Sequence, residues 1–235
     1  MSSSALASVL SGLSTPLIAD ACLRIGIPIR MAPAGLVPIV PGGCIGGRAL
    51  TARHHGSVDV FLEALSGARE GDILVIDNGG RSDEGCIGDL TALEARHAGV
   101  AAILVWGLHR DHRELQQVGL PVFSYGRCPA GPVRAEGRRE DSLGSARFGS
   151  VLVTGEDVAI ADDDGALFVP AGAIDAVLVA AQVIRERERR QAVQLASGVS
   201  LRVQLRFDRF LERRATDPLL TFRQHLEQTG GAIEV

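Results

Sequence analysis

Two short apolar runs with a helical segment between them constrain the fold of this chain more than any other feature. One run lies within Gly71–Asp77 and the other is Val100–Trp106; each is too short for a helix and apolar enough for burial on both faces of a sheet. The segment 89–98 between them has a helical pattern and is followed by Gly99. Because a strand, helix, strand sequence favours a parallel pair with a right-handed crossover, we expect an α/β core.

Shorter elements surround this unit. Residues 1–31 have a helical pattern, and glycine and proline residues then separate short β-rich pieces over 31–53. Further short strands are predicted over 150–169, where acidic turns divide the apolar pieces. Residues 78–88 and 126–149 are predicted to be loops, because they contain many turn-forming residues and little apolar content.

The C-terminal part of the chain has a different pattern. Apolar residues repeat at helical spacing from Ile174, and a last helix is predicted near 221–228. Leu201–Arg214 is too rich in arginine and too interrupted for a core, so we expect an arm that packs on a neighbouring subunit. The chain is therefore predicted to divide into an α/β core over residues 1–170 and C-terminal helices with an oligomer-packing arm over 171–235.

Composition bounds the class of protein. The 235 residues are 46% hydrophobic and 22% charged, enough for one sizeable core. The net charge is −4 and the arginines are scattered or beside acids, so no nucleic-acid partner is expected. No apolar run approaches the roughly 20 residues of a membrane helix, and the N-terminus lacks a basic leader region, so we expect a cytoplasmic protein without a membrane partner. The four cysteines form no CxxC pair, which argues against a zinc or redox site.

The absence of lysine is the most informative feature of the composition, because all 24 basic residues are arginine. Schiff-base catalysis requires a lysine amine, and a Walker phosphate loop requires its lysine. Lysine-imine aldolases, pyridoxal phosphate enzymes and P-loop ATPases are therefore excluded.

Polar residues follow both apolar strands, at the edge of a parallel sheet where ligands collect. After the first strand comes Asp77–Asp89, in which Gly85 and Gly88 allow a close approach to the backbone. After the second comes His109–His112, which contains an arginine and an acid. If the strands are neighbours, a guanidinium, a carboxylate and a helix N-terminus converge there.

Each of these residues also has a structural interpretation. Arg110 and Asp111 could form a surface ion pair, and Asp77 and Asp89 could be a turn residue and a helix cap. The spacing of His109 and His112 allows a metal site only if the segment is helical, and a half-buried strand pair is expected for His54 and His55. Asp77–Gly80 has a weak similarity to a nucleotide or methyl-donor loop.

Five motifs in a fixed order make the sequence recognisable. Together they resemble the RraA-like family, which contains the divalent-metal 4-hydroxy-4-methyl-2-oxoglutarate/4-carboxy-4-hydroxy-2-oxoadipate aldolases and the regulator of ribonuclease activity A. The resemblance covers about residues 15–170 and implies a swivelling β/β/α sandwich with a C-terminal helical arm, assembled into homotrimers or homohexamers with sites between subunits. The motifs are Gly46–Thr51, Gly71–Asp77, Gly85–Leu90, Gly99–Val105 and Gly107–Asp111.

The resemblance also implies a set of site residues. Arg110 would bind the carboxylate of pyruvate, Asp111 would bind Mg²⁺ or Mn²⁺, and Asp89 would act on the metal through water. A third acid, Glu186 or Glu188, would come from a neighbouring subunit. His109 departs from the pattern, since the family more often has a small or aliphatic residue there. The backbone N–H groups implied in carboxylate binding are those of the loop containing Gly85, Cys86, Ile87, Gly88 and Leu90.

These residues predict an aldolase or decarboxylase acting on a 4-hydroxy-2-oxo acid or on oxaloacetate. Both reactions form a pyruvate enolate, and without lysine its negative charge needs a metal. A bidentate guanidinium at Arg110 suits the planar carboxylate. The alternative is a non-enzymatic regulator that binds a ribonuclease or another protein through its oligomer surface, and a methyl-transfer function is a third possibility.

Overall fold

The chain alternates helices and strands in the computed structural model, which describes residues 1–134 and 136–229. The strands are β1 (Val37–Pro38), β2 (Ile45–Arg53), β3 (Ile73–Ile87), β4 (Ala102–His109), β5 (Val122–Ser124), β6 (Ser145–Phe148), β7 (Val151–Thr154), β8 (Asp157–Asp162) and β9 (Gly165–Pro170). The helices are α1 (Ser3–Leu10), α2 (Thr15–Arg24), α3 (Asp59–Ser66), α4 (Asp89–His97), α5 (His112–Val118), α6 (Ile174–Ala196), α7 (Leu201–Gln204), α8 (Phe207–Thr216) and α9 (Phe222–Thr229).

A seven-stranded sheet has the order β1-β5-β4-β3-β2-β8-β9. The four strands β2 to β5 are parallel neighbours in this sheet, whereas β1, β8 and β9 pair antiparallel at its edges. β6 and β7 form a separate antiparallel pair. The predicted strand, helix, strand unit is confirmed, because β3 and β4 are parallel neighbours joined by α4.

The central strands are buried on both faces, as their uninterrupted apolar runs require. On one face Leu74 and Ile103 pack in a cluster with Phe61 of α3 and Ala92 of α4. On the other face the sheet, including β9 at its edge, packs in a second cluster with aromatic and aliphatic residues of β6 and β7. The sheet is thus the middle layer of an α/β arrangement with helices on one side and strands on the other.

Three segments differ from their predicted structure. β3 continues through the predicted loop 78–88, pairing irregularly with β4 by register shifts between Asp77 and Ile87. The predicted loop 126–149 contains β6, whose Ala146 and Phe148 are fully buried. The prediction that 201–214 lacks a core is wrong: α7 and α8 lie there, and Leu205 and Phe210 are buried within the chain.

The described residues fall into two compact units. The first consists of residues 1–15 and 29–175, and the second of residues 16–28 and those from 176 onward. The second unit is helical, and its α8 and α9 meet through aromatic contacts among Phe207, Phe210, Phe222 and His225. The predicted division at residue 170 stays a prediction.

Within the described ranges, no single helix is long and apolar enough to cross a membrane. Together, α1 and α2 have the length and apolar composition of a membrane span, but they form a bent pair, so this is weak evidence for one.

Candidate active site

A cleft of about 580 Å³ lies in the first unit, beside the residues that follow the carboxyl end of β4. β4 ends at His109, and the next residues, Arg110 and Asp111, line the cleft. The first turn of α4 lines it as well, beginning with Asp89. The two strand ends that the sequence singled out therefore meet, because β3 and β4 are neighbours and the N–H of Arg110 donates to the carbonyl oxygen of Ile87 at 2.9 Å.

Arg110 and Asp111 form an ion pair in which Nε lies 3.3 Å from Oδ2. Their side chains are 48% and 37% exposed, so water screens the pair and leaves both groups accessible to a ligand. Asp111 has φ 54° and ψ 44°, a left-handed conformation that is uncommon for a residue with a side chain. Such strain is frequent in binding sites. Here it lies where β4 passes into α5.

Gly88 leaves room for the Asp111 carboxylate. A Cβ atom at Gly88 would overlap Oδ2 of Asp111 and would lie 3.4 Å from Cγ of Arg110. Gly88 is also the residue before α4, and Asp89 is the first residue of the helix. The side chain of Asp89 accepts a hydrogen bond from the N–H of Leu90 at 2.8 Å through Oδ1, leaving Oδ2 without a protein partner among the described residues. Asp89 is thus the first helical residue and not the cap that the structural interpretation assigned to it, since Gly88 is the N-cap, and only one of its two oxygens is engaged.

The cleft brings together five of the residues that the sequence predicted, and the other three residues of the predicted carboxylate-binding loop lie outside its lining. Gly85 donates its N–H to the carbonyl oxygen of Ala130 at 2.8 Å, so this amide is already engaged. Cys86 and Ile87 are buried, and burial strongly raises the pKa of the Cys86 thiol. The predicted residues that line the cleft are Gly88, Asp89, Leu90, Arg110 and Asp111.

His109 is the buried residue directly before Arg110, at the end of β4. It is 3% exposed, with Nδ1 2.6 Å from Oγ of Ser124 and Nε2 2.9 Å from Nδ1 of His112. Both ring nitrogens are engaged, so His109 is not free to bind a metal. Burial, followed by the neighbouring His112, lowers the pKa of His109 to about 4, and the imidazole is neutral near pH 7.

The donor set of the cleft suits a hard divalent cation. Asp111 and Asp89 both line it, and their carboxylate oxygens are the ligands that Mg²⁺ and Mn²⁺ prefer. Mg²⁺ commonly takes only one or two protein carboxylates and keeps several waters. In the parts of the chain described, no three histidine, cysteine, aspartate or glutamate side chains form a metal-binding group.

The predicted third acid lies in the second unit, on α6. Glu186 is exposed and pairs with Arg185 at 3.0 Å. Glu188 is exposed, and partial burial together with Asp20 raises the pKa of its carboxyl group. Participation of either residue across a subunit boundary stays a prediction.

Sequence reasoning missed the apolar rim of the cleft except for Leu90, which was predicted for its backbone N–H and not for its side chain. Four large aliphatic residues that are between 46% and 76% exposed line it. Leu62 lies on α3 and Leu90 and Leu93 on α4, while Val58 directly precedes α3; the sequence pattern predicts helices there but does not reveal that these outward positions share one cleft. These residues are Val58, Leu62, Leu90 and Leu93.

Asp77, His54 and His55 lie outside this cleft. Asp77 is buried in β3, where it accepts the N–H groups of Gly79 and Arg147, each at 2.9 Å. The prediction of a half-buried strand pair is wrong for the two histidines. Both follow the end of β2 and are buried, at 3% and 7% exposure.

The geometry defines a class of protein: an α/β protein with an arginine and two carboxylates at one sheet edge. The chain matches the sequence model of the RraA-like family, described as Aldolase/RraA, over residues 15–168. A relative from Bacillus anthracis named "Putative 4-hydroxy-4-methyl-2-oxoglutarate aldolase" is 31% identical over 121 residues, which cover 52% of this chain and 75% of the relative.

Solved structures agree with this match. Streptomyces coelicolor RraAS2, described as an unusual member of the RNase ES inhibitor RraA protein family, has a TM-score of 0.70 and 26% identity, covering 80% of this chain and 96% of that one. A Geobacillus kaustophilus structure named S-adenosylmethionine: 2-dimethylmenaquinone methyltransferase has a TM-score of 0.56 and 25% identity, covering 65% and 93%. This chain belongs to the RraA-like family, and the predicted RraA-type α/β fold is confirmed.

Proposed function

We propose that this protein is a divalent-metal-dependent aldolase or decarboxylase that cleaves a 4-hydroxy-2-oxo acid, or oxaloacetate, through a pyruvate enolate. The observation that supports this most is the cleft in which Arg110, Asp111 and Asp89 meet beside Gly88. The name of the Bacillus anthracis relative favours the same chemistry. We further propose a cytoplasmic homotrimer or homohexamer.

Each residue of the cleft would have a separate role in this reaction. The guanidinium of Arg110, half exposed, binds the carboxylate of the 2-oxo acid through a pair of charge-assisted hydrogen bonds. Asp111 and Asp89 would hold Mg²⁺ or Mn²⁺, Asp89 through water. The bound cation would polarise the 2-keto oxygen and stabilise negative charge there.

Proton transfer falls to Asp89. Its Oδ2, free of protein partners in the described residues, would orient a water that takes the proton from the C4 hydroxyl. The C3–C4 bond then breaks, its electron pair forms the enolate of pyruvate, and C4 becomes a carbonyl. The proton returns to C3 of the enolate. Oxaloacetate loses carbon dioxide by the same movement of electrons.

Pyruvate release tests the proposal. It is measured from oxaloacetate and from 4-hydroxy-4-methyl-2-oxoglutarate, with Mg²⁺ or Mn²⁺ and then with EDTA, for wild type, Arg110→Ala and Asp111→Ala. We expect release that depends on metal, disappears in Asp111→Ala, and needs more substrate in Arg110→Ala. Arg113→Ala, on the exposed side of α5, is the control. Unchanged kinetics in the two cleft variants would refute the assignment.

A second candidate function is regulation of a ribonuclease, favoured by the likeness to RraAS2. In that case the oligomer surface, rather than the cleft, binds the partner. A stable complex with a ribonuclease that persists in Asp111→Ala, combined with no pyruvate release by wild type, would favour the regulator. Methyl transfer, suggested by the name of the Geobacillus structure, requires S-adenosylmethionine binding, which calorimetry detects.

A further inference from the structure

A second cavity, of about 370 Å³, lies where β2 ends and shares no lining residue with the first cleft. Arg53, the last residue of β2, is in register with Asp77 of the neighbouring parallel strand β3. The cavity therefore occupies the carboxyl ends of parallel strands, where α/β sheets bind ligands. It has one acid in its lining, Asp77, and five arginines: Arg53, Arg81, Arg134, Arg139 and Arg147.

Three of the five arginines have carboxylate partners. Arg53 binds Asp141, with Nη1 2.8 Å from Oδ2, and its Nε lies 3.6 Å from Asp77. Arg134 donates from Nη2 to Oε1 of Glu84 at 3.0 Å. The side chain of Glu84 is only 5% exposed, so this charge pair is part of the packed structure. Arg81 pairs with Asp83 and lies 3.6 Å from Glu84. These acids compensate the charges of the three arginines.

Arg139 and Arg147 are the two remaining arginines of the lining. Neither Arg139 nor Arg147 has an ion pair with a carboxylate among the described residues. The one lining acid cannot compensate them, because Asp77 already accepts two backbone N–H groups and faces Arg53. The charges also reach the buried wall of the cavity: burial lowers the pKa of His55, and the next cause is the positive charge of Arg139.

Two buried polar atoms among the lining residues have no partner in the described chain. His54 is 3% exposed and stacks on Phe61, with Nδ1 2.8 Å from Oδ1 of Asn78, while its Nε2 makes no hydrogen bond. Asn78 is 1% exposed, and its Nδ2 is also unsatisfied. Native proteins rarely leave such groups unpaired unless a water, an ion or a ligand satisfies them. Two residues of the lining therefore carry unsatisfied polar atoms in the wall behind the cavity.

We propose that this cavity is a binding site for a small oxyanion with two or more negative charges, either a phosphate group or a dicarboxylate. Arg139 and Arg147 would bind its oxygens, because a guanidinium offers paired donors that match either group. The paired arginines, Arg53 and Arg134, fix the walls of the cavity. This site is independent of the proposed aldolase chemistry, since Arg110 and Asp111 do not line it.

Isothermal titration of the full chain with inorganic phosphate, and separately with malonate, tests the site. All proteins carry Arg110→Gln so that anion binding in the first cleft does not contribute, and sodium chloride keeps the ionic strength constant. Arg139→Gln and Arg147→Gln are compared with Arg209→Gln, an exposed arginine of α8 in the second unit. Both test positions are exposed, so the variants are expected to fold, which circular dichroism and thermal melting check.

We expect at least one of the two anions to bind and its affinity to fall about 10-fold or more in Arg139→Gln and in Arg147→Gln, but not in Arg209→Gln. Tighter phosphate binding would assign the site to a phosphate group, and tighter malonate binding to a dicarboxylate. Absence of binding by both anions would overturn the proposal. Equal affinity in the Arg139, Arg147 and Arg209 variants would overturn it too, because binding would then be a general effect of surface charge.

Discussion

Asp111, the proposed metal-binding residue, adopts a backbone conformation that costs energy. A left-handed conformation costs a residue other than glycine roughly 1–2 kcal/mol, and aspartate tolerates it better than most. At this position the conformation lets the chain turn from β4 into α5 while the carboxylate stays beside Arg110 and over Gly88. The neutral, buried His109 beneath it adds no competing charge at neutral pH.

At the residue scale, Gly88→Ala separates site geometry from charge. The new methyl group would overlap Oδ2 of Asp111, the end of a flexible side chain, so the carboxylate moves while the fold is kept. Because a displacement of about 1 Å in a site can cost about 100-fold in rate, we expect pyruvate release to fall by that order. Gly42→Ala, where a Cβ atom would meet nothing within 4 Å, is the control. Equal turnover by the two variants would contradict the role of Gly88.

The sequence indicated which residues belong to the candidate site, but it did not indicate their geometry. Arg110 and Asp111 were identifiable because polar residues directly follow an uninterrupted apolar strand. The left-handed backbone of Asp111 has no sequence signature, since α5 begins at the next residue without a glycine turn. The second cavity was missed because Arg139 and Arg147 lie far along the chain from Arg53, and only the fold brings them together.

At the scale of elements, the irregular strand β3 determines the architecture of the sheet edge. Its first part is an apolar strand that the sequence predicted, and its second part was predicted to be a loop because Asn78 and two glycines are typical of turns. Bulges explain how a segment with turn-like composition can remain part of a strand, since each register shift with β4 turns the chain locally while pairing continues. This continuation leads the chain to Gly88 and the start of α4. A turn-rich composition does not reveal such bulged pairing.

Close packing of β2 against the start of β3 predicts the effect of Gly47→Ala. A Cβ atom at Gly47 would overlap the backbone carbonyl oxygen of Gly71, which cannot move aside as a side chain does. We expect a loss of about 1–3 kcal/mol in the free energy of unfolding, measured by urea denaturation. The matched substitution is Gly172→Ala, where the space is open and no loss is expected. A loss of the same size in both variants would show that the packing at Gly47 is not special.

At the scale of the whole molecule, the two units differ in what the sequence reveals. The first unit contains the parallel sheet, and long apolar strands with a helix between them predict its topology. The second unit contains α2, most of α6 and the arginine-rich helix α8, and few residues of α8 and α9 are apolar enough to indicate a core. Its aromatic contacts depend on Phe207, Phe210 and Phe222, which are separated by polar residues. Sparse aromatic residues can build a small core that hydropathy does not predict.

The proposed assembly predicts that two inactive variants restore activity when they form one oligomer. If Asp111 of one subunit and Glu186 or Glu188 of the next share a metal, Asp111→Ala and the double variant Glu186→Ala/Glu188→Ala are each inactive alone. Co-expression of the two in a closed ring then restores one third of the sites in a mixed trimer and about one quarter in a mixed ring of six, since each site draws its two acids from neighbouring subunits. Pyruvate release by oligomers purified through two different tags measures this recovery. Mixed oligomers without activity, or a glutamate double variant as active as wild type, would place every ligand of the site on one chain or elsewhere.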